Sequence, residues 1–144
     1  VLLGQKNVNQ VTLTKFNFLK NKIETLELTD RVKLLTDQDV HDILNIMDIG
    51  VLISRVEGMP NVVMEYMLYG LPVVTTKHPG CIQLLEDSEF LIENDEVNLT
   101  NALDELICSK EKMTSEGNQN LKRIAKFDME SYMVKLEDIM NRHV

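Results

Sequence analysis

"GVLISRVEGMPNVVMEYMLYGLPVVTT", Gly50 to Thr76, contains a continuous apolar run, a Gly-Met-Pro-Asn corner, a helix-like stretch and a second apolar run. Gly50 to Ser54 reads as a strand buried on both faces, because it shows no polar alternation. "PNVVMEYMLYG" carries Pro60 in its first turn and Gly70 at its end, where a helix favours each. "LPVVTT" is then another buried strand. Two such strands joined through a helix form a parallel crossover unit, since a tight turn can join only antiparallel strands.

The flanks repeat this alternation. "VLLG", Val1 to Gly4, is a strand; Leu13, Phe16, Leu19, Ile23 and Leu26 mark a helix interleaved with Lys15, Asn17, Lys20 and Glu24; "DRVKLLT", Asp30 to Thr36, is a strand. A Thr or Asp cap then precedes a helix with Val40, Ile43, Leu44 and Met47 on one face and His41, Asn45 and Asp48 on the solvated one. "EFLIE", Glu89 to Glu93, reads as the last strand. Three helices follow: one with Leu99, Ala102, Leu103, Leu106 and Ile107, a short one at Leu121, Ile124 and Ala125, and one from Asp128 as N-cap through Tyr132, Met133, Leu136, Ile139 and Met140. The series predicts a single α/β domain over residues 1–144, a Rossmann-like doubly wound parallel sheet with helices on both faces. Ligands of such sheets bind beyond the carboxyl ends of the strands. The site is therefore expected in the loops after Gly4, Leu34, Ser54 and Thr75.

Charge narrows the ligand. The 144 residues hold 23 acidic and 15 basic side chains, a net charge of -8, which repels nucleic acid and anionic lipid. Lys15, Lys20 and Lys22 form the densest basic group and read as the wet face of a helix. Cys81 and Cys108 lack a C-x-x-C arrangement and are expected to be reduced and partly buried. His41, His78 and His143 show no metal-ligand spacing, so no metal is expected. No apolar run approaches the roughly 20 residues that span a bilayer, and no signal peptide is recognisable, which predicts a cytoplasmic protein. Val1 lies directly inside a strand-like run, so the chain is expected to be a piece of a longer one.

At the corner, the helix start offers backbone N–H groups on Asn61, Val62 and Val63 that, with the helix dipole, favour an anion. Gly58 permits close approach to the backbone. Glu57 at the lip can accept two hydrogen bonds from a sugar diol, and Glu65 can serve a second diol. A nucleotide-sugar presents ribose diol, diphosphate and sugar hydroxyls in that order. On spacing alone an equal alternative stands: Glu57 complements the helix dipole, worth about 0.3–1 kcal/mol, and Glu65 is a solvated helix residue. Hydrolytic acid and base work is disfavoured, because both carboxylates sit on one strand-turn-helix unit and the sequence identifies no opposing group. Lys77 and His78 at the next strand end are either phosphate-holding or plain loop residues.

"EGMPNVVMEYMLYGLPVVTT" resembles the signature of the retaining GT-B glycosyltransferases of family 4, or group 1: Glu, seven residues, Glu, then Gly-Leu-Pro-Val-Val. "VLLG" and "DRVKLL" are similar to the second and third strands of that family's donor domain. "DVHDILNIMDIGVLIS" matches the elements before the signature, and "PGCIQLLED" the turn after it. The resemblance implies that Glu57 contacts the transferred sugar, that the backbone of Gly58, Met59, Pro60, Asn61 and Val62 lies near sugar and diphosphate, and that Glu65 binds ribose. It places Gly4 and Thr36 beside the nucleotide, Thr36 near the base. No cofactor is implied, the nucleotide-diphosphate sugar being the substrate. The implied fold is a GT-B C-terminal domain lacking its first strand, together with the Gly-Arg and Lys groups that neutralise the diphosphate. A saccharide or lipid-linked acceptor would be held by an absent N-terminal domain, in surface-polysaccharide assembly at the inner face of the membrane.

Departures accompany the match. Gln83 stands where family members commonly have Glu, Leu35 and Thr36 where Gly is frequent, and Gln5 and Lys6 where a second glycine follows Gly4. Loss of the central first strand predicts that the second and fourth strands close the gap or that another chain fills it, with self-association through an exposed sheet edge. The final helix is expected to reach toward the missing domain, leaving its Met and Ile stripe partly exposed. The missing groups leave a second reading open: a non-catalytic nucleotide-binding or assembly module.

Overall fold

The computed structural model describes residues 2–4, 10–36, 38–56 and 58–127. They form two compact units, Val1–Ile43 and Leu44–Val144. In the first, strand β1 (Leu2–Gly4) leads into helix α1 (Gln10–Thr25) and strand β2 (Leu34–Thr36). The strands pair in parallel, Leu2 with Leu34 and Gly4 with Thr36. Of the expected α1 stripe, Phe16 and Ile23 are half-buried and join Val32 and Leu34 around a groove of about 260 Å³. Leu13, Leu19 and Leu26 are exposed, because the contact runs along one narrow row of the helix. Helix α2 (Val40–Leu44) spans the unit boundary.

The second unit holds β3 (Gly50–Leu52), α3 (Asn61–Leu68), β4 (Val73–Thr76), α4 (Pro79–Leu85), β5 (Leu91–Ile92), α5 (Glu96–Cys108), α6 (Lys110–Ile124) and a closing 3₁₀ turn (Ala125–Phe127). Its strands lie in the order β3-β4-β5, all parallel, with Val51 beside Val74 and Thr75 beside Leu91. Successive residues of β4 point to opposite faces, as strand geometry requires. Val73 and Leu91 pack with Val63 and Met67 of α3, Leu84 of α4 and Ile124 of α6. Val74 and Ile92 pack with Phe90 and with Ala102 and Leu106 of α5. Helices thus cover both faces, and each fully buried valine stabilises the fold by about 1.5–3 kcal/mol before entropy is counted.

Several expectations are corrected. "PGCIQLLED" is not a turn: Pro79 opens α4, whose Cys81, Leu84 and Leu85 enter the core. The short helix at Leu121 is the end of the 15-residue α6. That helix packs through polar groups and a glycine instead of an apolar stripe. A Cβ on Gly117 would lie 2.1 Å from the Gly70 carbonyl oxygen, and the Asn120 amide donates to the Leu71 carbonyl at 2.8 Å. Gly70 itself has φ +65°, the left-handed C-terminal position that glycine tolerates best. Arg123, 5% exposed, donates to Asn120 Oδ1 at 2.9 Å and lies 3.4 Å from Glu116, which also accepts from Ser88 Oγ.

Cys81 is buried as a free thiol, whereas Cys108, on the outer side of the last turn of α5, is exposed. The expected helix from Asp128 through Met140 lies outside the described residues. No helix among those described is long and apolar enough to cross a membrane.

Candidate functional site

The corner between β3 and α3 stands at the carboxyl end of the parallel sheet, where the sequence locates it. Its entry is held by strand β4. Thr76, 2% exposed, donates its hydroxyl to the Ser54 carbonyl at 2.9 Å and accepts from the Ser54 amide at 3.2 Å. The Ser54 hydroxyl donates to the Val56 carbonyl at 3.0 Å, and the Val56 amide turns back to it at 3.3 Å. The chain therefore leaves β3 in a defined direction.

Gly58 and Met59 are exposed, and Pro60 is buried as the N-cap of α3, with φ -77° and ψ 116°. No side chain caps the helix. The Pro60 carbonyl accepts from the Val63 amide at 3.1 Å, so the expected trio of available amides shrinks to Asn61 and Val62, the first two of the helix. Asn61 is exposed and Val62 half-buried. Glu65 is half-buried one turn further on. Burial pushes the neighbouring Tyr66 phenol above its ordinary range, and the Glu65 carboxylate adds to the rise. Tyr66 packs over Gly50, where a Cβ would lie 2.3 Å from its ring. Glu57 lies outside the described residues.

Gly58 to Val62 and Glu65 thus form one set in the second unit. Gly4 and Thr36, register partners at the carboxyl ends of β1 and β2, form another in the first. Lys77 is paired with Glu93 at 2.9 Å, an exposed ion pair between the ends of β4 and β5. The His78 ring does not extend free from its loop: Nε2 lies 2.7 Å from the Ser54 carbonyl. Among the described residues no group of His, Cys, Asp and Glu could hold a metal ion.

Sequence reasoning missed Gly80. An added Cβ there would lie 1.6 Å from the Gly58 carbonyl oxygen and 2.8 Å from the Met59 Cα, so the first turn of α4 presses directly on the corner. The signal was present as a Pro-Gly pair read as a turn. What it meets lies 22 residues away, beyond any local pattern.

Residues 2–109 match the family described as "Glycosyl transferases group 1". A mannosylfructose-phosphate synthase of Agrobacterium fabrum is 33% identical over 86 residues, 58% of this chain and 19% of that protein. An uncharacterized glycosyltransferase of Haemophilus influenzae is 37% identical over 98 residues, 65% of this chain and 28% of that one. The chain therefore spans less than a third of either relative. A chain from the crystal structure of the GtfA/B complex superimposes with a TM-score of 0.75 at 15% identity, over 97% of this chain and 28% of that chain. At that identity the likeness speaks for the fold, which is the α/β arrangement of a GT-B glycosyltransferase. With the family match running from β1 through α5 and taking in the whole corner, the chain belongs to the group 1 glycosyl transferases.

Proposed function

We propose that this chain binds the donor, a nucleotide-diphosphate sugar, for a retaining glycosyltransferase. The observation that carries the reading is the corner at the sheet's carboxyl end, braced by Gly80 and opening α3 with Glu65 one turn inside. In this reading the Asn61 and Val62 amides face the diphosphate, where two backbone donors and the positive end of the helix complement its charge. Glu65 accepts from the ribose diol and Glu57 from the hydroxyls of the sugar. Gly4 and Thr36 serve the nucleotide, Thr36 near the base.

In the transfer itself, the bond from the anomeric carbon to the diphosphate breaks as the acceptor oxygen bonds to the same face. The acceptor's proton passes to the departing phosphate oxygen, so no protein nucleophile is assigned. The Agrobacterium fabrum relative is named for a mannosyl product, and a hexose donor is proposed on that ground. A saccharide or lipid-linked acceptor held by another domain, a role in surface-polysaccharide assembly on the cytoplasmic side and self-association through a sheet edge belong to the same proposal.

Isothermal calorimetry with uridine, guanosine and adenosine diphosphates tests the donor site. One of the three is expected to bind. A folded protein that binds none overturns the reading.

A further inference from the structure

The corner is held from a second loop at both of its ends. At its start, the Ser54 carbonyl receives the Thr76 hydroxyl at 2.9 Å and the His78 ring nitrogen Nε2 at 2.7 Å. At its far end, the Gly58 carbonyl lies where a side chain on residue 80 would have to be. All of these contacts come from the five residues Thr76 to Gly80, from the last residue of β4 through Lys77 and His78 into the first turn of α4. A carbonyl oxygen can only accept, so Nε2 must carry its proton, in the neutral ring as well as in the imidazolium. His78 is half-buried and its Nε2–H is spent on this bond. A histidine that held phosphate through the same nitrogen would have to give the bond up.

We infer that His78 is a positioning residue for the donor site: it acts through the Ser54 carbonyl to set the corner, and it does not contact the donor's phosphates. The inference rests on the proposed donor site for its consequence in binding, but not for its structural half. Without the ring, Ser54 keeps Thr76 and loses its shorter hydrogen bond. Arg55, Val56 and the residues from Gly58 to Pro60 then sample other directions, and the helix-start amides are less often correctly aimed. Affinity falls by the fraction of time the corner is misplaced.

Two variants of the full chain, His78→Ala and His78→Gln, separate the possibilities, glutamine being able to return a neutral N–H donor to about the same place. In the ligand-free protein, the backbone amide order parameters of Val56, Gly58 and Met59 are measured by NMR. They are expected to fall in His78→Ala from about 0.85 toward 0.6, with β4 and α5 unchanged, and to recover in His78→Gln. Unchanged order at the corner in His78→Ala overturns the inference. For the nucleoside diphosphate that wild type binds, affinity is expected to drop about three- to tenfold in His78→Ala and to be restored in His78→Gln. A loss of affinity without loosening of the free corner identifies a direct phosphate contact and also overturns it, as does loosening without loss. If wild type binds no diphosphate, the proposed function fails while the ligand-free measurement still decides whether His78 sets the corner.

Discussion

The proposed division of labour between the two glutamates is a matter of single side chains. Glu65→Ala is expected to weaken nucleoside diphosphate binding by roughly tenfold or more, the cost of losing hydrogen bonds to a charged acceptor. Glu57→Ala should spare the free diphosphate and weaken only the nucleotide-sugar; calorimetry with both ligands checks this, and equal losses for both variants would refute separate roles. Gly80→Ala drives a methyl into the Gly58 carbonyl. It should cost about 1–3 kcal/mol in urea unfolding, typical of overpacking, and displace the corner as well. Tyr66 makes a prediction in pH. Its folded pKa is raised, so the unfolded chain loses the phenolic proton first. Stability from this group is complete below the unfolded value of about 10 and declines as pH climbs through the folded one. Urea midpoints from pH 8.5 to 11 should therefore fall less steeply in Tyr66→Phe. The sequence singled out Glu57, Gly58 and Glu65 because their residue types stand in one local strand-corner-helix pattern. The contacts that Ser54 and Gly58 make with Thr76, His78 and Gly80 were not legible, because they join residues 22 to 24 positions apart.

Elements differ in how plainly they announce themselves. β4 and α3 were readable because apolar side chains alone make their contacts: Val73, Val74, Val63 and Met67 are all buried. α6 was not, since its fully buried residues are Glu116, Gly117, Asn120 and Arg123 beside one apolar residue, Ile124. A search for apolar periodicity finds only the tail of such a helix. The same polar face predicts its sensitivity. Glu116 is 7% and Arg123 5% exposed, so removing one partner leaves the other charge buried. Arg123 keeps Asp87 at 3.4 Å, so Glu116→Ala should destabilise by about 1–3 kcal/mol, measured as a shift in urea midpoint at constant slope. Replacing both with well-packed apolar residues should recover much of that loss. At the start of α5, Asp95 caps through the Asn98 amide, and that hydrogen bond, reinforced by the Asn98 side chain, holds its carboxyl below the usual carboxylate range. Its contribution is present above the unfolded carboxylate pKa and fades as acid carries pH down through the folded one. Acid unfolding of Asp95→Asn should accordingly lack that component.

At the scale of the molecule, the buried side chains are unevenly distributed. Among the residues whose burial is described, 13–36, 38–56 and 58–127, every fully buried side chain belongs to the second unit, from Leu44 onward, while the first unit offers half-buried residues such as Phe16 and Ile23. Amide hydrogen exchange should therefore release α1 well before α3 and β4, since local opening is easiest where little apolar surface is withdrawn from water. Simultaneous release of all three would contradict this. The α/β class and the order of elements were legible because unbroken apolar strands separated by helices admit few other arrangements. The strand order β3-β4-β5 within the second unit was not, because pairing partners leave no mark on a strand's own composition. The contact of Gly80 with Gly58 has a further consequence for anyone exchanging specificities among relatives. Ser54 and Gly58 take their contacts from residues 76–80, so a graft that carries the corner without that segment is expected to lose the groups that give it shape.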